Sequence, residues 1–379
     1  MKSIKNVDFS NKKVIIRCDF NVPIKDNKIL DDNRIKMSLE TINYIKDKAS
    51  KIILLSHLGR IKTSEDKKNN SLKIIIPVLE NLINEKIGFY DYTDNTKSEL
   101  YKKIVLFENT RFFDLDNNKE SDNDIDLSKY FARFAEIYVN DAFAVSHRKN
   151  ASNYGITNFL PSYNGFLVEK EINMLNNLLD NIEKPYIVIL GGSKVKDKIG
   201  VINNLIEKVD KIIISGAMSF TFLYAKGYEV GKSIVDTYSI TYAKDLLNKY
   251  GNKIILIKDC YVSKDLEKEK ELKTIEEINI DEIGYDIGPK TIKEYENVIK
   301  KAKTIFFNGA VGLFENEKYE YGTKEIIKIL NNTNAKIIIG GGDTVNAAKK
   351  YNIKNAYLST GGGAALKYLE DKNLPGIII

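Results

Sequence analysis

Cysteine is nearly missing from this chain, arginine is scarce, glycine is almost confined to the second half, and no apolar run approaches the ~20 residues of a membrane span. The two cysteines, Cys18 and Cys260, are far apart and each sits beside an aspartate, so they offer neither a disulfide framework nor a zinc spacing. Both are expected to be reduced and semi-buried in strands. The start of the chain, MKSIKNVDFSNKK, has no signal-peptide core, and the expectation is a cytoplasmic protein with no membrane partner. The basic complement of 58 contains only six arginines, and Arg17, Arg34, Arg60, Arg111, Arg133 and Arg148 all lie before residue 150, as do both histidines, His57 and His147. Of 23 glycines only Gly59 and Gly88 precede that point.

These shortages divide the chain by chemistry. Where lysine is the default cation, arginine marks positions that need a planar, two-pronged donor for carboxylate or phosphate. The first half is therefore suited to a small polyanion, and the glycine corners of the second half suit the phosphates of a nucleotide. A length of 379 residues suggests two domains, and 43% hydrophobic with 29% charged residues is the composition of a soluble globular enzyme. The net charge of +6 comes from lysines interleaved with acids, which reads as solvated faces and not as a nucleic-acid stripe.

Short β-branched runs alternate with helical patterns along the whole chain, predicting α/β architecture. Val14–Ile16 leads into Arg17-Cys18-Asp19-Phe20-Asn21, placing Asp19 and Asn21 on one face of a strand end. Arg34 opens a helix-like segment, RIKMSLETINYIKDKA. The strand Lys51–Leu55 delivers Ser56-His57-Leu58-Gly59-Arg60, Ile104–Phe107 delivers Glu108-Asn109-Thr110-Arg111, and Ile137–Val139 delivers Asn140-Asp141 with Ser146-His147-Arg148 beyond. In open parallel sheets the carboxyl edge of the strands is where ligands bind, so four polar strand ends converging there predict a site. Arg133 reads as a surface residue.

GFLVEKEINMLNNLLDNI, residues 165–182, predicts a long helix able to join two domains. Beyond Pro185, YIVILGGSKVKDKI is strand, glycine corner, helix, with Lys194 and Lys198 expected on one face of the helix start. KDLEKEKELK, 264–273, reads as a solvated segment, and Tyr285-Asp286-Ile287-Gly288-Pro289 as a turn before a helix. AKIIIGGGDTVNAAKK, 335–350, repeats the strand–glycine–helix grammar. Its glycines suit either close approach of backbone to an anion or a plain tight left-handed turn, with Asp343 open to a metal ion or the helix cap and Thr344 to the cap or an oxygen. The apolar C-terminal end requires a dock. Two other readings fail: Gly227 to Ser233 has three residues between its glycines where a P-loop needs four, and no G-x-G-x-x-G of a dinucleotide-binding dehydrogenase follows the first strand. A nucleic-acid module is suggested only by a pI of about 8.8.

In order, RCDFNVP, NRIK, SHLGR, ENTRF, YVNDAF with SHR, LGGSKVKDKI, YDIGP, NGAVGLFE, GGGDT and STGGGA resemble the motifs of phosphoglycerate kinases over essentially the whole chain. The resemblance implies two doubly wound parallel-sheet (Rossmann-like) domains joined by a helix, with the C-terminus packing back on the N-terminal domain. The implied boundaries are 1–164 plus about 366–379 for the domain binding 3-phosphoglycerate or 1,3-bisphosphoglycerate, 165–182 for the interdomain helix, and 183–365 for the nucleotide-binding domain. It implies reversible phosphoryl transfer from 1,3-bisphosphoglycerate to ADP with Mg²⁺, in a monomer that binds no nucleic acid and closes by hinge-bending. It assigns Asp19, Phe20, Asn21, Arg34, His57, Leu58, Gly59, Arg60, Arg111 and Arg148 to the three-carbon acid. Gly191, Lys194, Lys198, Gly284, Asn308, Glu315, Gly341, Gly342, Asp343 and Thr344 fall to the nucleotide, and Asp343 to the metal. Arg34 and Lys198 are the catalytic pair implied to flank the moving phosphoryl group. The chain departs from the family pattern at Ile61 and Ala310, where prolines are usual, at Ser215-Gly216-Ala217, and at Asn150 in place of a second histidine.

Overall fold

The β-branched runs become parallel strands buried on both faces, which is why they read as almost unbroken apolar stretches. The computed structural model describes residues 1–92, 99–180 and 182–379. The chain groups into two units, Met1–Asn173 with Asn373–Ile379, and Met174–Lys372.

In the first unit, strands β1 (Lys13–Arg17), β2 (Lys51–Leu55), β3 (Ile87–Tyr90), β4 (Ile104–Phe107), β5 (Ile137–Asn140) and β6 (Ser162–Asn164) form one sheet in the order β3-β4-β2-β1-β5-β6. Every neighbouring pair is parallel. Val14, Ile16, Ile52 and Leu54 face one core with Ile42, Ile45 and Leu79, while Ile15, Ile53 and Leu55 face the other with Leu127 and Phe131. The sequence reading anticipates neither β3 nor β6. Both are short edge strands whose pairing comes from neighbours, not from their own pattern. The segment opened by Arg34 is two helices, Asn33–Met37 and Leu39–Lys46. Between them Ser38 turns its hydroxyl on the Arg34 carbonyl, 3.4 Å away, a local bond that competes with helix continuation. Cys18 and Cys260 are free and fully buried, beyond the semi-burial expected of them.

In the second unit, β7 (Tyr186–Leu190), β8 (Lys211–Ile214), β9 (Ile254–Ile255), β13 (Thr304–Asn308), β14 (Lys336–Gly340) and β15 (Ala356–Leu358) form a second parallel sheet, ordered β9-β8-β7-β13-β14-β15. Between β9 and β13 in sequence lies an antiparallel sheet, β10 (Asp259–Ser263), β11 (Glu271–Thr274) and β12 (Ile283–Ile287), in the order β11-β10-β12. The expected turn at 285–289 is therefore mostly strand, and only Gly288 turns, ahead of the helix Pro289–Ile299. The end of the expected solvated run, Glu271 onward, is an edge strand. Its charge hides the strand in sequence and discourages further pairing.

Two expected boundaries move. The helix expected over 165–182 spans Phe166–Asn176, and Asn181 lies outside the described residues. Leu178 and Leu179 then close tighter turns on Leu175 and Asn176, as amides at 176 and 177 favour a helix end. Of the tail expected from about 366 in the first domain, only Asn373–Ile379 groups with it. Helix Gly363–Asp371 packs on helix Ile199–Leu205, where Gly200 leaves room for Glu370 and Asn204 Nδ2 donates to the Leu369 carbonyl at 2.5 Å.

The last residues pack back on the first unit, with Leu374 buried and Ile379 exposed, and asparagines hold the backbone between them. Asn164 Nδ2 donates to the Lys2 and Ile378 carbonyls at 3.1 and 2.7 Å, and its Oδ1 accepts from Ile378 N at 3.1 Å. Asn140 Nδ2 donates to the Gly376 carbonyl at 2.6 Å. Asn164→Ala is expected to cost about 1–3 kcal/mol by stranding these backbone groups. A lowered urea midpoint for the first unit's unfolding would show it; an unchanged midpoint would mean the tail is held otherwise.

Candidate functional site

Each unit concentrates its polar strand ends on the carboxyl edge of its own sheet. In the first, β1 carries Asp19 and Asn21, β2 His57 and Arg60, β4 Arg111, and β5 runs on to Arg148. His57 and Asp19 are buried, Arg34 is half-buried, and Arg60 and Arg148 are exposed. Asn21 Oδ1 accepts from Gly59 N at 2.9 Å, Ser56 Oγ accepts from Phe20 N at 2.8 Å, and Asn109 Nδ2 donates to the Leu58 carbonyl at 2.7 Å, so three strand-end loops hold one another. Gly59 takes φ of 61°, a left-handed turn that brings its carbonyl onto Arg111 Nη1 at 2.5 Å.

Charge is lopsided here. Arg34 pairs with Asp19, but among the described residues no carboxylate lies within salt-bridge distance of Arg111 or Arg148. Burial pushes the His57 imidazole well below its ordinary range, and the guanidinium groups of Arg17, Arg111, Arg148 and Arg34 push it further. Burial also lowers Arg111, with Arg148 and Arg17 adding to the effect. Four cations thus act on His57, and the two that meet no carboxylate among the described residues, Arg111 and Arg148, leave a positive field suited to an anionic ligand. Beneath them Arg17 is fully buried and bonds His57 Nδ1 at 3.2 Å and Ser152 Oγ at 3.0 Å. The sequence reading counts Arg17 among the arginines without giving it a place. It does not find Glu120 or Ser152 at all, because neither belongs to a strand-end pattern. Arg133 lies over the Tyr130 ring at 4.2 Å, on the surface as expected.

In the second unit the strand order reverses between β7 and β13, the switch point where doubly wound sheets open a crevice. A cavity of about 550 Å³ occupies it, lined by Gly191, Lys194, Lys198, Gly284, Asn308, Glu315 and Gly341 to Thr344, with Phe220, Ile257 and Tyr285 supplying an apolar wall. The volume is in the range of small-ligand sites. Gly191 is required by close approach: a Cβ there would lie 2.1 Å from the Ala310 carbonyl oxygen, which itself accepts from Gly192 N at 3.1 Å. Gly341, with φ of 89°, caps helix Gly342–Lys350 and leaves its first N–H groups facing the cavity rim. Thr344 Oγ1 accepts from Gly309 N at 2.6 Å, tying the β13 and β14 corners together.

Lys194 and Lys198 both line the cavity, but not from one helical face as expected. Lys194 sits in the turn, Lys196–Lys198 is a 3₁₀ turn, and the α-helix begins only at Ile199. The half-buried Lys198 ammonium donates to Asn308 Oδ1, meets no carboxylate among the described residues, and is pushed by burial down to about 8. Asp343 and Glu315 are exposed at the rim.

A family model described as phosphoglycerate kinase matches residues 4–372. Phosphoglycerate kinases of Listeria monocytogenes serotype 4b and Enterococcus faecalis are each 45% identical to this chain, over 387 and 388 aligned residues covering 99% of it and 98% of the relative. The solved phosphoglycerate kinase structures from Coxiella burnetii and Pyrococcus horikoshii OT3 superpose with a TM-score of 0.85 at 35% and 28% identity, covering 99% of this chain and 97% of theirs. With these likenesses running the full length of both sheets, the chain belongs to the phosphoglycerate kinase family.

Proposed function

We propose that the chain transfers a phosphoryl group reversibly from the acyl phosphate of 1,3-bisphosphoglycerate to ADP, giving 3-phosphoglycerate and ATP. The observation that carries this reading is a pair of cationic clusters that no carboxylate pairs with among the described residues: Arg111 and Arg148 in one unit, Lys198 in the other. Residues 1–164 with the extreme C-terminus hold the three-carbon acid, 183–365 hold the nucleotide, and the helix around 166–176 joins them. Arg34, Arg60, Arg111 and Arg148 take its carboxylate and phosphate oxygens, with His57 and the loop Leu58–Gly59 beside them. Asp19 and Asn21 suit a hydroxyl, since a carboxylate repels an anionic ligand; Asp19 also orients Arg34, and Phe20 holds the loop through Ser56.

On the nucleotide side, the N–H groups at Gly341 to Thr344 and the Gly191 corner cradle phosphates, Glu315 accepts from ribose, and Gly284 lies on the wall available to the base. Asp343 fits Mg²⁺: its carboxylate is exposed on the cavity lining beside the Gly341–Thr344 corner, and Mg²⁺ takes one carboxylate with phosphate oxygens and water. When bound, Mg²⁺ would screen the phosphate charge. The moving phosphoryl group passes through a loose, anionic transition state that needs positioned cations and no covalent protein intermediate, so Arg34 and Lys198 act by flanking it. Hinge-bending is the motion this chemistry requires, to bring the reactants together and keep water from the acyl phosphate. The enzyme acts as a cytoplasmic monomer.

An assay with 3-phosphoglycerate, ATP and Mg²⁺, coupled to reduction of the acyl phosphate, is expected to give turnover; none would refute the reading. Arg34→Ala should lower kcat by about a hundredfold or more while leaving ADP affinity nearly unchanged. Because Lys198 carries its charge below about 8 and loses it above, kcat/KM for the nucleotide should be flat on the acid side and fall as pH rises through 8. Lys198→Arg, which stays charged, should move that alkaline limb upward. An unmoved limb would assign it to another group.

A further inference from the structure

We propose that Glu120, Ser152 and Arg17 form a buried chain that fixes His57 as its Nε2–H tautomer, so that the imidazole meets the substrate as a neutral, directed hydrogen-bond donor. The proposal rests on the reading that this unit binds 3-phosphoglycerate.

The direction of every bond in the chain is forced. Arg17 is a donor only, so the contact of its Nη2 with His57 Nδ1 at 3.2 Å requires a lone pair on Nδ1. A neutral imidazole then carries its proton on Nε2, which is used by no hydrogen bond among the described residues. Arg17 Nε donates to Ser152 Oγ at 3.0 Å. The Ser152 hydroxyl therefore turns its proton to Glu120 Oε1 at 2.5 Å, and the Ser152 amide donates to Glu120 Oε2 at 3.0 Å. Arg17 Nη1 ends on the Cys18 carbonyl. All four residues are buried, Arg17 and Glu120 to within 1%. The Glu120 backbone is held in turn, its carbonyl accepting from Ala151 N at 2.9 Å and Asn150 Nδ2 at 3.3 Å.

The arrangement has two consequences. Glu120 offsets the buried charge of Arg17 through Ser152, leaving the guanidinium groups above it for the ligand. Protonating His57 would break its bond to Arg17 and add a fifth cation against Arg17 on β1, Arg34 on its helix, and Arg111 and Arg148 on their loops. The ring thus contributes orientation and not charge. Glu120, Ser152 and Arg17 are positioning residues, acting on substrate through His57.

The test is ¹⁵N NMR of histidine-labelled protein without ligand. The chain has two histidines, and His147→Gln assigns His57 by elimination. His57 is expected to show unprotonated Nδ1 and protonated Nε2 from about pH 5.5 to about pH 8.5. A protonated Nδ1, or titration within that range, overturns the proposal whether or not the protein is active. Ser152→Ala is expected to mix the tautomers and to raise KM for 3-phosphoglycerate about tenfold, with KM for ATP and kcat within about twofold. Glu120→Gln should do the same, and if it fails to fold, Ser152→Ala and the wild-type spectrum decide. An unchanged tautomer in Ser152→Ala, or equal changes in both KM values, refutes the chain. An inactive wild-type protein with the expected spectrum would refute the proposed function and leave the tautomer assignment standing.

Discussion

The constraint on which the first unit depends is the cost of gathering like charges in a partly dry place. Arg17, Arg34, Arg111 and Arg148 act on one histidine, and among the described residues only Arg34 of these meets a carboxylate directly. Such a cluster repels itself and survives because a rigid sheet holds its members apart from their natural counter-ions. The strands supplying them are buried on both faces, and the loops are cross-tied by Asn21, Ser56 and Asn109. Stability belongs to the sheet, and the electrostatic strain sits at its carboxyl edge, where the anion we propose would relieve it.

The second unit answers the same problem with backbone where the first uses side chains. Gly191, Gly309 and Gly341 let loops from β7, β13 and β14 approach one another, so N–H groups take the place of guanidinium groups as the partners we propose for an anion. One ammonium, Lys198, is placed among them against Asn308. Its lowered pKa is the cost of burying a cation that no carboxylate pairs with among the described residues, a cost the neighbouring Asp197 only partly offsets. The scarcity of glycine in the first half and of arginine in the second matches these two proposed ways of binding phosphate.

Elements with a strong period of their own were legible without coordinates: among the described residues, ten of the twelve strands in the two parallel sheets do not need their neighbours to look like strands, the exceptions being the short edges β3 and β6. The polar residues after them were legible too, because a strand's carboxyl edge has a known use in this architecture. What stayed hidden was structure made by partners. Ser162–Asn164 pairs only because Tyr138–Asn140 lies alongside it. Helix Gly363–Asp371 belongs with the second unit because Gly200 admits Glu370. Lys194 and Lys198 share a cavity without sharing a helix face.

The sequence by itself determined the α/β class, the split between an arginine half and a glycine half, and the polar strand ends, since each depends on local period or residue type. Only the tertiary structure decided which arginines converge on His57, that Arg17 bonds its Nδ1, and that Glu120 and Ser152 stand behind Arg17. Those contacts join residues more than a hundred positions apart in the chain for Arg17 and Ser152, and hydrogen-bond direction is a property of the assembled partners that no spacing in the chain encodes.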